Sequence, residues 1–174
     1  MLTSTHTSKS ENRSTGTVVI GFGNLLLKDE GVGIHIIQSF REMALADNSK
    51  LVIMDGGTCP DILYLLPEGV GKLIIVDAVK GGGMPGDIYR FTPNDFTFSR
   101  MTITSVHQLG IAEGLRGLEL LDANPKEVII IGVEPKEVGW GLEISPELKE
   151  ILPQVVDLLV KEIYNTKSVW SSAI

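Results

Sequence analysis

Four short runs constrain the fold more than anything else in the chain: TVVIGF (17–22), LVIMD (51–55), KLIIVDA (72–78) and EVIIIGV (127–133). Each is apolar, mostly β-branched, at nearly every position, without the alternation of a sheet that keeps one face wet. Strands of this kind belong in a sheet covered on both faces. Helical patterns fill the intervals at about 30–45, 60–68, 105–121 and 146–164. The last is the clearest. Pro146 suits a first helical turn, Ser145 an N-cap, and Leu148, Ile151, Leu152, Val155, Val156, Leu159 and Ile163 form its apolar stripe. A further strand is expected at DIYRFT (87–92). Only GGGMPG and its flanks separate it from the strand ending at Asp77, too few residues for a helical crossover, so it should run antiparallel to its predecessor. The expectation is a three-layer α/β/α sandwich, phosphorylase/hydrolase-like, around a five-stranded mixed sheet with one antiparallel strand.

A chain of 174 residues suffices for one such domain with a sizeable core, and no repeat or second domain is visible. Residues 17–165 are read as a single ordered domain between a polar, disordered N-terminal tail, 1–16, and a C-terminal tail, 166–174. The tail MLTSTHTSKSENRSTG has no apolar core, so it is no secretory signal, and no apolar run reaches the ~20 residues of a membrane helix. Net charge is -7 without a Lys/Arg block, which argues against a nucleic-acid partner. The one cysteine, Cys59, excludes a disulfide framework and fits a reducing, cytoplasmic location.

In an open α/β sheet ligands gather where strands end and helices begin. Glu30, Asp77 and His107 stand at such junctions, and the strand layout places them along one edge of the sheet. Two carboxylates and an imidazole can bind a divalent metal and leave positions open. Each also has an ordinary explanation. Asp29 and Glu30 are acids in a first helical turn, where capping and the helix dipole favour them, and for Asp29 that reading is preferred. Asp77 closes LIIV and needs a partner, since an unpaired buried carboxylate costs several kcal/mol. His107 lies in Ser105-Val106-His107-Gln108, an S-x-x-Q capping box. In that first turn the dipole favours the neutral imidazole that metals need. His35, five residues from Glu30, does not share its helix face and reads as a surface residue, and His6 lies in the tail.

Gly21-Phe22-Gly23 after the first strand invites a dinucleotide reading, with Asp55 as the ribose acid. Its third position is Leu26 instead of glycine, and two carboxylates would face the pyrophosphate, so no nucleotide is expected. Gly31 and Gly33 in the helix start imply close approach to another backbone, a partner's included. Asp55 in DGGT either caps its turn or faces the crevice of Asp77. Zincin, nucleophile-elbow and Walker A signatures are absent. Cys59 paired with His107 would make a cysteine hydrolase, though a structural cysteine is the plainer reading.

Five motifs, GFGNLLLKDEGVG (21–33), DGGT (55–58), IIVDAV (74–79), SVHQLG (105–110) and IGVEP (131–135), stand in the order and spacing of the nickel–iron hydrogenase maturation endopeptidases, which the chain resembles from about 17 to 164. The resemblance implies a nickel-dependent, aspartyl-type endopeptidase that removes a C-terminal peptide from the hydrogenase large-subunit precursor after nickel insertion. It implies metal contacts by Glu30, Asp77 and His107, catalytic roles for these three, and substrate selection and cleavage by Asp55. The nickel is implied to arrive with the precursor, another divalent ion being able to substitute in a crystal. The rival reading is a non-catalytic, nickel-sensing chaperone of the same subunit.

Overall fold

The computed structural model describes residues 16–43, 50–58, 62–67, 69–95 and 106–164. Five strands form one sheet: β1 (Thr17–Phe22), β2 (Leu51–Gly57), β3 (Lys72–Ala78), β4 (Ile88–Phe91) and β5 (Glu127–Val133). Their order is β2-β1-β3-β5-β4, all parallel except β4, which runs antiparallel to β5. Four helices cover it: α1 (Val32–Glu42), α2 (Ile62–Leu65), α3 (Val106–Leu120) and α4 (Pro146–Tyr164). A 3-10 turn, Lys28–Gly31, precedes α1.

The two faces of the sheet each bury their own core. Val19, Ile74, Val76, Ile129, Ile131 and Val133 pack under α1 and α4. Val18, Ile20, Phe22, Leu73, Ile75 and Ile130 pack under α2 and α3. That division follows the two-residue alternation of the strands and explains why β1, β3 and β5 are apolar over most of their length. The edge strand β2 is the exception, with Val52 exposed.

The antiparallel direction of β4 was expected and is found. β4 pairs with β5, which lies between it and β3. After β3 the chain crosses the end of β5, where Val79 N–H donates to the Val133 carbonyl at 2.9 Å and Gly132 leaves room for the Val79 side chain. Loop length fixes direction but leaves the neighbour open. α4 begins at Pro146 as expected, yet the Ser145 hydroxyl makes no capping bond. Among the described residues, no helix is long and apolar enough to cross a membrane. Apart from Gly16, the expected tails 1–16 and 166–174 lie outside the described residues, as do His6, Cys59 and Ser105.

Candidate active site

The turn carrying Glu30 is set by glycines. A Cβ on Gly33 would collide with the carbonyl oxygens of Phe22 and Val76, and one on Gly21 with the Gly33 carbonyl. α1 therefore starts directly against the backbone ends of β1 and β3, its own strands and not a partner's. Gly23, at φ +148, lies against the Glu30 carbonyl. This contact brings Glu30 beside the end of β3, where Asp77 is buried.

Asp77 Oδ1 accepts the Ala78 N–H at 2.9 Å; Asp77 Oδ2 is buried without a hydrogen-bond partner. Glu30 Oε2 is in the same condition. Burial pushes the Asp77 carboxyl up to about 7, against the lowering by the Ala78 N–H, and the nearby Glu30 charge raises it further. Two neighbouring carboxylates that each bury an oxygen without a hydrogen-bond partner form a high-energy arrangement. A divalent cation would satisfy both oxygens, so the pair fits a metal contact by chemistry as well as by position.

His107 is the second residue of α3, in its first turn. α3 connects to β5 through six residues, 121–126, and so runs back along the sheet. Its 15 residues span about 22 Å, the length of the neighbouring strands, which sets its N-terminus at the strand ends where Asp77 lies. Alternation also points Asp77 to the face that α3 covers, since Leu73 and Ile75 pack there. The His107 side chain lies outside what is described. Among the described residues, no three His, Cys, Asp or Glu side chains cluster as a metal site.

Asp55 stands apart from the pair. Gly21 is in register with both Asp55 and Val76, which puts Asp55 two strand spacings, about 10 Å, from β3. It is exposed, and its Oδ1 accepts the Gly57 N–H at 2.8 Å, so it caps its own turn. The register slips there, Phe22 pairing with Gly57, whose φ is +53. His35 is half-buried instead of on the surface: burial, then the charge of Lys149 on α4, hold its pKa below the ordinary value.

Two carboxylates with large structural roles carry no local signal in the sequence. Asp29, fully buried, accepts the backbone N–H groups of Lys136 and Glu137 at 2.9 Å each and of Ser145 at 2.6 Å. It is no helix cap; it clasps the loop after β5. Glu134 Oε2 accepts the N–H groups of Gly81 and Gly83 and the Tyr89 hydroxyl at 2.6 Å, fixing the glycine-rich loop that follows Asp77. Burial and then the bond to Glu134 push the Tyr89 phenol up to about 12. In the sequence they are only an acid directly before Glu30 and one directly after β5, and their partners lie 107 to 116 and 45 to 53 residues away.

Comparison with known proteins agrees on one family. The model of the hydrogenase maturation proteases, HycI, matches residues 34–162. The hydrogenase expression/formation protein HupD of Bradyrhizobium diazoefficiens is 32% identical over 155 residues, 87% of this chain and 78% of that protein. The hydrogenase 2 maturation protease of Escherichia coli is 27% identical over 143 residues, 80% of this chain and 85% of that protein. The solved structure of the hydrogenase maturating endopeptidase HybD from E. coli superposes with a TM-score of 0.76 at 27% identity, covering 87% of this chain and 94% of that one.

Proposed function

The chain belongs to the hydrogenase maturation protease family, whose members hydrolyse peptide bonds, and on that premise we propose that it removes a C-terminal peptide from the nickel-loaded precursor of a nickel–iron hydrogenase large subunit. Glu30, Asp77 and His107 contact the nickel that the precursor carries. Asp55, exposed at the end of β2, acts on the substrate chain, which makes the cleavage carboxylate-assisted. The observation that carries the reading is the pair of buried, unpartnered oxygens, Glu30 Oε2 and Asp77 Oδ2.

The pair is suited to a metal that comes and goes. Without a cation, burial and the Glu30 charge keep Asp77 partly protonated near neutral pH. A dication delivered by the precursor favours the ionised form of Asp77 and offsets the Glu30 charge beside it. The nickel then reports that the precursor is loaded and positions the scissile bond; polarising the carbonyl is a further service open to it.

Incubating the purified protein with nickel-loaded and nickel-free precursor, then weighing the products, tests the reading. Loss of a C-terminal peptide from the loaded precursor alone is expected. A stable complex of two intact chains would make the protein a nickel-sensing chaperone instead.

A further inference from the structure

Beside Glu30 the chain exposes apolar side chains on a backbone that is held in place. Leu26 is 52% exposed, Val138 46%, Trp140 83% and Leu142 67%. The segments that carry them are joined: the Lys28 N–H donates to the Gly141 carbonyl at 2.9 Å and the Gly141 N–H to the Leu26 carbonyl at 3.0 Å. The buried Asp29 carboxylate then fixes the same loop at Lys136, Glu137 and Ser145. A tryptophan this exposed gains nothing for the fold, and a large apolar side chain on a pre-ordered backbone is the common form of a binding hot spot.

The charges around this ledge are spent on one another. Lys28 pairs with Glu137 at 2.7 Å, Lys136 with Glu147 at 2.6 Å and Lys149 with Glu143 at 2.7 Å. The face left to a partner is therefore apolar and locally neutral, which selects an uncharged, apolar stretch of chain. The Glu30 N–H donates to the Leu27 carbonyl at 3.2 Å, next to Leu26, so whatever covers the ledge lies on the turn that carries Glu30.

We infer that Leu26, Val138, Trp140 and Leu142 form the docking ledge for an apolar segment of the precursor next to its scissile bond. The inference rests on the processing function proposed above and names how the substrate is gripped. Trp140 and Leu142 bind; neither takes part in the cleavage.

The test uses the full-length protein and nickel-loaded precursor, with initial rates measured across precursor concentration for Trp140→Ser, Leu142→Ser and Leu120→Ser. Leu120 is as exposed as Trp140 but closes α3 at the opposite end of the strands, so it controls for loss of surface apolarity. Trp140→Ser is expected to raise KM about tenfold or more, with kcat and melting temperature unchanged. Leu142→Ser should shift KM in the same direction, and Leu120→Ser should leave it alone. KM unmoved in both ledge variants, or moved equally by Leu120→Ser, overturns the inference. So does a wild-type dimer in sedimentation that Trp140→Ser dissociates without changing KM, since the ledge would then serve a second copy. If the wild type binds the precursor without cleaving it, the processing reading fails by itself, and the affinity of Trp140→Ser for the precursor still decides the ledge.

Discussion

Replacing Asp77 by Asn should stabilise the metal-free protein above neutral pH while abolishing processing. The carboxyl is buried and rises from 3.8 to about 7 in the fold. The folded state thus holds a proton that the unfolded chain has released. The stability associated with that proton is complete below about pH 4 and is lost as pH climbs toward 7, because folding must then retain a buried carboxylate or take up a proton. At about 1.4 kcal/mol per pH unit, the loss amounts to about 4 kcal/mol by pH 8. Asn does not ionise, and its Oδ1 can keep the Ala78 N–H bond. Urea unfolding of both proteins at pH 4 and pH 8, with chelator present, reads the difference. The two should be similar at pH 4, and Asp77→Asn should lead by several kcal/mol at pH 8. An Asn variant less stable than wild type at pH 8, or one with the same pH dependence, would refute the assignment of burial and the Glu30 charge as the cause.

Asp29→Ala leaves one buried and two part-buried backbone N–H groups unpaired and should cost about 3 kcal/mol in urea unfolding, with protease nicking gained in the 136–145 loop. Gly33→Ala drives a methyl into the Phe22 and Val76 carbonyls, so α1 must move off the sheet; loss of both stability and processing is expected, where an exposed-site alanine would be neutral. Glu134→Gln removes a negative charge and weakens the acceptor for the Tyr89 hydroxyl, and the phenol should titrate below its present value of about 12, as ultraviolet difference spectra would show.

The fold could be read in the sequence wherever a single element carried its own signal. The apolar runs of β1, β3 and β5 announced a sheet covered twice, and Pro146 marked the start of α4 to the residue. What escaped depended on distant partners. Asp29 looks like any acid in a first turn, because nothing nearby reveals the three amides waiting after β5. Glu134 sits inside the legible IGVEP motif, yet its work is on the loop after β3. The insertion of β5 between β3 and β4 is likewise a packing outcome that a short loop does not specify. In the site, the glycines of the first loop correctly signalled a close backbone approach. Which backbone it was, and that this approach sets Glu30 beside Asp77, required the tertiary structure.

The most direct measurement is the mass of nickel-loaded precursor after incubation with wild type, Glu30→Gln, Asp77→Asn and His107→Ala, each shown by circular dichroism to be folded. The account predicts a C-terminal peptide lost with the wild type and an intact precursor with all three variants. Normal processing by the three variants would contradict it.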